Sequence, residues 1–213
     1  GYLMTPVWQT FLFQGTTIVV RLTLGPVAVA VFNTVRTLSR SVNQMYSIVN
    51  GSVFPEIQYE IGAKHWETVR FIFVRALKAS FVLSIVGVTM LAVFGLPVYA
   101  IWTHNELNPP AAMWYLFLLG VLLNAVWWTA SVVFRAMNKL YQLAIAGIIS
   151  SILSVGCSYI LCLYWGLTGA ATGTLLFEVI MALYVMPTSY RLIGISLHIR
   201  KIWKIINIKN RII

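Results

Sequence analysis

Long apolar runs alternate with short polar breaks along this chain, and five of the runs have the length of a bilayer span. Residues 4–24, 79–102, 111–133, 143–165 and 167–186 each supply the roughly 20 mostly apolar residues that a helix needs to cross hydrocarbon. A sixth segment, 27–54, is patterned differently. Asn33, Arg36, Arg40, Asn43, Ser47 and Asn50 recur at spacings of 3, 4, 3, 4 and 3, and Val31, Val35, Leu38, Val42, Met45 and Val49 fill the opposite face. That period predicts a helix with one polar stripe. Gly25-Pro26, 105–110, 136–139 and 166–169 supply turn signals between runs. The expected fold is an all-α integral membrane protein: a six-transmembrane-helix bundle over residues 1–194, then a basic amphipathic tail, 195–213, on the cytoplasmic surface.

Composition agrees. The chain is 60% hydrophobic and 9% charged, with mean hydropathy +0.85, against about 25% charged residues in soluble domains. The formal charge of +10 does not point to nucleic acid, because the basic residues gather at the ends of apolar runs. Lys64, Arg70, Arg75 and Lys78, then Arg135 and Lys139, then Arg191 and the tail fall in one set of connections; Gly25-Pro26, 103–110 and 166–169 contain no Lys or Arg. The first set is therefore expected on the cytoplasmic side. This bias would read the same if 27–54 lay on the inner surface. Crossing is the expectation because the Gly25-Pro26 turn is short and the arginines sit mid-segment rather than at an edge. Gly1 is not an initiator methionine, so a longer protein with a preceding N-terminal half is expected.

The stripe is the leading candidate site. Two arginines one turn apart cost about 2.5–3.5 kcal/mol each at a span centre, so they should face water, a partner helix or an anionic cargo. The first run carries its own polar line, Thr10, Gln14, Thr17 and Arg21; joined by a tight turn, the two segments should be antiparallel neighbours that share a cleft. Glu178 is the one acid near the middle of a clear span, and serves either as an ion- or proton-coupling group or as a structural partner of Arg36 or Arg40. Asn124 is expected to join helices. Gly147, Ser151, Ser154 and Ser158, and Gly169 with Gly173, read as close-packing faces. Trp114, Trp127, Trp128 and Trp165 fit either interfacial belts or cavity walls. Cys157 and Cys162 fit no metal or redox motif, and the three histidines make no metal set. The chain has no Asp and no HExxH, GxSxG or P-loop pattern, so no enzyme activity, metal or cofactor is expected.

Residues 13–62 (FQGTTIVVRLTLGPVAVAVFNTVRTLSRSVNQMYSIVNGSVFPEIQYEIG) resemble the seventh and eighth helices of oligosaccharide flippases, the O-antigen and polysaccharide exporters of the multidrug/oligosaccharidyl-lipid/polysaccharide superfamily. The features are a span ending in Gly-Pro, then Asn-Thr-Val-Arg-Thr-Leu, then Phe-Pro-Glu before a charged loop; Gly-Leu-Thr-Gly-Ala-Ala at 166–171 is similar too. Family members have two lobes, so six spans resemble the C-terminal lobe. The resemblance implies translocation of an undecaprenyl-diphosphate-linked oligosaccharide across the bacterial inner membrane, with the missing N-terminal half and membrane lipids as partners and no nucleic acid. It implies that Arg36 and Arg40 hold the diphosphate, with Asn33, Asn43, Gln14, Ser47 and Arg21 completing the substrate site and Glu178 coupling an ion. A multidrug-type antiporter of the same superfamily, a membrane polysaccharide polymerase and a non-transporting scaffold are the alternatives.

Overall fold

The computed structural model describes residues 4–195, and no strand occurs among them. Most of the tail expectation, 196–213, lies outside the described residues. The helices are α1 (Met4–Leu24), α2 (Pro26–Arg40), α3 (Asn43–Gly62), α4 (Trp66–Trp102), α5 (Ala111–Ala130), α6 (Val132–Ala136) and α7 (Leu140–Leu192). Three stretches, Trp66–Trp102, Ala111–Ala136 and Leu140–Leu192, are long and apolar enough to cross a membrane.

Glycine and proline place the reversals. Gly25 takes φ 86°, and Pro26 opens α2 where its missing N–H costs nothing. Gly166, at φ 56° and ψ −135°, breaks α7 into two limbs, 140–165 and 167–192. They fold back on each other: Ser154 Oγ donates to the Gly173 carbonyl at 2.6 Å and Ser158 Oγ to that of Ala170 at 3.3 Å. A Cβ on Gly169 would strike the Leu161 carbonyl, and one on Gly173 would strike Ser158. The small-residue faces therefore let two limbs of one hairpin touch through their backbones.

The polar stripe is not one uninterrupted α-helix. At Ser41 and Val42 the backbone keeps right-handed helical angles, but its bonds tighten to the i→i−3 pattern, with Ser41 N–H to Leu38, Gln44 N–H to Ser41 and Met45 N–H to Val42. This short 3₁₀-type step divides α2 from α3. α4 also starts earlier than the apolar run, at Trp66 rather than residue 79. Its 37 residues make about 55 Å at 1.5 Å per residue, more than the roughly 30 Å of hydrocarbon, and the extra turns carry Glu67, Arg70, Arg75 and Lys78.

Packing fixes which reversals share an end. Gly166 lies beside Leu24, and Leu107 packs on the cluster of Val31, Tyr99 and Trp114. At the opposite end Arg70 Nε donates to the Ile193 carbonyl at 2.9 Å, and Ile61, Met137 and Leu192 join the cluster built on Val69, Phe73, Phe134 and Val185. The segment 26–62 therefore runs from one end of the bundle to the other. Its neighbours follow from side-chain pairs. α1 runs parallel to the first limb of α7, with Trp8 at Gly147 and Gly15 at Val155; α5 runs parallel to the second limb, with Gly120 at Leu175 and Ala130 at Ser189.

Candidate functional site

A narrow cleft of about 30 Å³ opens between α1, α2, the start of α3, α5 and the second limb of α7, with Phe13, Arg36, Arg40, Asn43, Asn124 and Glu178 among its walls. Each helix delivers its polar group by simple periodicity: Arg36, Arg40 and Asn43 fall one helical turn apart on the striped segment, while its Val31, Val35 and Val42 are buried.

Arg36 is half-buried, and both of its terminal nitrogens donate to neutral acceptors. Its Nη1 donates to the Phe13 carbonyl and Thr16 Oγ1, both at 3.2 Å, and its Nη2 to Thr17 Oγ1 at 3.1 Å and Asn33 Oδ1 at 2.6 Å. Its guanidinium also lies over the rings of Phe13 and Phe32, 5.1 and 5.3 Å from the centroids. This one side chain ties α1 to α2, yet no carboxylate is among these partners. Arg40 differs. It lies 4.3 Å from the Phe13 centroid, and its Nη2 meets Glu178 Oε1 at 3.3 Å, with side-chain exposures of 29% for the arginine and 9% for the acid.

Glu178 is held from two helices, α2 and α5. Besides Arg40, its Oε2 accepts from Asn124 Nδ2 at 2.9 Å and from Trp127 Nε1 at 2.7 Å. Asn124 in turn accepts at Oδ1 from the Tyr46 hydroxyl at 2.6 Å. A buried carboxylate needs this density of donors. Asn124 therefore does join helices, and Tyr46 and Trp127, which sequence reasoning did not place in the site, are part of its frame. Their signal was obscured because an interior aromatic in an apolar run looks like core until its polar tip finds a partner.

The structure gathers only part of the expected set. Asn33, Arg36, Arg40, Asn43 and Glu178 converge, and Ser47 lies at the margin of an adjoining cleft. Gln14 and Arg21 do not join them. Phe13, Thr16 and Thr17 are the α1 residues that face Arg36, whereas exposed Gln14 lies with Pro6, Val7, Thr10, Phe11 and Ile18 on the outward side of α1. Arg21 is exposed near the Gly25 end. The 4-3-4 line through Thr10, Gln14, Thr17 and Arg21 drifts around α1, and only Thr17 faces inward. Asn50 also belongs elsewhere; it is 4% exposed with neither side-chain polar atom bonded. Among the tryptophans, Trp114 and Trp127 are buried, Trp128 is half-buried and Trp165 is 63% exposed. Cys162 Sγ packs at 3.0 Å from Thr23 Oγ1. His65 pairs with Glu60 at 2.9 Å, and among the described residues no cluster of His, Cys, Asp or Glu could hold a metal.

No family model matches the sequence, and no curated protein matches it. The fold does have a solved counterpart, the crystal structure of a mutant MATE (multidrug and toxic compound extrusion) protein, with a TM-score of 0.76 at 18% identity over 91% of this chain. The match covers 43% of the MATE chain, so this chain spans less than half the length of that structure and has the fold of part of a MATE transporter.

Proposed function

We propose that this chain is one six-span lobe of a membrane transporter that moves an undecaprenyl-diphosphate-linked oligosaccharide from the inner to the outer leaflet of the bacterial inner membrane. The observation that carries this reading is the charge balance of the cleft. Two guanidiniums and one carboxylate line it, so one positive charge is left unmatched among the described residues. Arg36 carries that excess, since the acceptors its terminal nitrogens meet are all neutral, and an anionic headgroup near it would supply the missing charge. The sequence resemblance of 13–62 names the lipid-linked cargo, and the fold of a MATE transporter part supports the class of activity. In this reading the Gly25, Asn105 and Gly166 reversals face outward, the segment 26–62 crosses the bilayer, and a second lobe faces the cleft.

Glu178 fits the coupling role. An anionic headgroup drawn to Arg40 competes with Glu178 for the same Nη2, and a buried carboxylate that loses its cation gains affinity for a proton or metal ion. A multidrug reading has its own support: the fold counterpart is a MATE protein, and Glu178 would meet a cationic cargo if Arg40 swung away. The deciding experiment measures binding to the complete protein, as made in its host and placed in lipid nanodiscs. Undecaprenyl diphosphate should bind and be weakened by Arg40→Ala. Binding of tetraphenylphosphonium instead, lost in Glu178→Gln, would establish the multidrug reading in its place.

A further inference from the structure

α3 and α4 pack antiparallel, with Gly87 against Val42 and Met45. About three turns further toward the Lys64 end, the two helices enclose a groove of about 290 Å³, with Val49, Val53, Glu56, Phe71, Arg75 and Ala79 among its walls. No residue of α4 lines the arginine cleft, so the groove is separate from it. It opens on the outer side of the bundle, where only 17% of the most apolar stretch of α4 is buried.

Two opposite charges stand in this groove unpaired. Glu56 and Arg75 are both exposed, and neither meets an oppositely charged group among the described residues. The helix register puts them at one level, since eleven residues on from Met45 and twelve back from Gly87 reach them. Arg75 instead leans on the Phe71 ring, 6.0 Å from its centroid. The groove thus presents one cation and one anion, although the basic residues around it (Lys64, Arg70 and Lys78) give this end of the bundle a positive balance.

The depth of the pair suits a lipid headgroup. The apolar run of α4 begins at residue 79, which puts Arg75 about 6 Å outside it at 1.5 Å per residue. The headgroup layer on each side of the hydrocarbon is about 5–8 Å thick. On the hydrocarbon side of the groove, Ala79 leads into an exposed apolar track through Val82 and Val86, 57% and 42% exposed. Charge at headgroup level and an apolar track beyond it are the two halves of a phospholipid site.

We propose that this groove binds phosphatidylethanolamine, a phospholipid whose headgroup carries a phosphate and a primary ammonium. The phosphate meets Arg75, whose planar fork suits two phosphate oxygens. The ammonium, a short linker away, donates to the Glu56 carboxylate, and an acyl chain lies along Val82 and Val86. Phosphatidylglycerol has a net negative headgroup, so it would answer Arg75 and be repelled by Glu56. Phosphatidylcholine has the right charges, but its quaternary ammonium has no N–H to give the carboxylate.

The test is competitive lipid retention, read by native mass spectrometry of the complete protein released from detergent with equal amounts of the three phospholipids. Phosphatidylethanolamine should be retained about tenfold over phosphatidylcholine, the worth of about one charge-assisted hydrogen bond. Glu56→Gln should bring phosphatidylethanolamine down to the phosphatidylcholine level without changing the latter. Arg75→Leu should lower the retention of both. Lys78→Gln, on the same helix but outside the groove walls, should keep the full preference; its loss there would mark a general charge effect and overturn the site. Preference of the unaltered protein for phosphatidylglycerol overturns the zwitterion reading, and equal retention of all three means an unselective lipid annulus. A phosphatidylethanolamine preference that survives both Glu56→Gln and Arg75→Leu overturns the location.

Discussion

Arg40 and Glu178 stand 138 positions apart in sequence and 3.3 Å apart in space, joining α2 to the second limb of α7 across the mouth of the cleft. Glu178 is also bonded to Asn124 and Trp127 on α5, so the pair is the point where three helices are held in register. Removing one partner of a buried ion pair strands the other's charge, which costs about 3–5 kcal/mol when both are dry; Arg40 is partly wet, so the lower end applies. We expect Arg40→Ala to lower the melting temperature of the purified protein more than Arg40→Ala combined with Glu178→Gln. A double variant less stable than the arginine variant alone would show that the pair does not couple.

Arg36 should separate stability from transport. Its truncation leaves few acceptors without a donor, because the Phe13 carbonyl also accepts from Thr17 Oγ1 at 2.8 Å and Asn33 Oδ1 lies 3.2 Å from the same hydroxyl. Arg36→Ala is expected to cost about 1–3 kcal/mol while abolishing export of surface polysaccharide at near-normal protein level. Arg36→Lys keeps the charge without the planar fork and should retain partial export. Normal polysaccharide in Arg36→Ala cells would remove this residue from the cargo site.

Glu178→Gln addresses coupling. If headgroup binding releases Glu178 from Arg40, binding of undecaprenyl diphosphate in weakly buffered solution should take up protons, and the glutamine variant should bind without that uptake. Equal uptake by both proteins would exclude Glu178 as the proton acceptor.

The α7 hairpin gives a contrast among glycines. Gly173→Ala would push a methyl into Ser158, and Gly166→Ala would place a Cβ at φ 56°; each is expected to cost about 1–3 kcal/mol. Gly156→Ala, with nothing within 4 Å, should be neutral or stabilising by up to about 1 kcal/mol. Thermal unfolding of the three variants checks the order.

Topology is read by cysteine labelling with an impermeant maleimide on intact cells. A cysteine at Asn105 should label from outside, and cysteines at Lys64 and Lys139 only after the inner face is exposed. Labelling of Asn105 and Lys139 from the same face would contradict the two-ended arrangement.

The local decisions were legible in the chain. Apolar runs gave the helices of α4, α5 and α7, since length and hydropathy are summed along the sequence. Gly25-Pro26 and Gly166 announced their reversals because left-handed backbone needs glycine and a helix start tolerates proline. The stripe from Asn33 to Ser47 announced its polar face because a helix repeats every 3.6 residues. Other features depended on what lies opposite. Spacing alone put Gln14 and Arg21 beside the arginines, but the rotation of α1 against α2 turned Phe13, Thr16 and Thr17 inward and left those two outside. The step at Ser41-Val42 and the choice of Arg40 over Arg36 as partner of Glu178 likewise came from packing. So did the recruitment of Tyr46 and Trp127, whose polar tips acquire meaning only when a helix distant in sequence brings an acceptor within 3 Å.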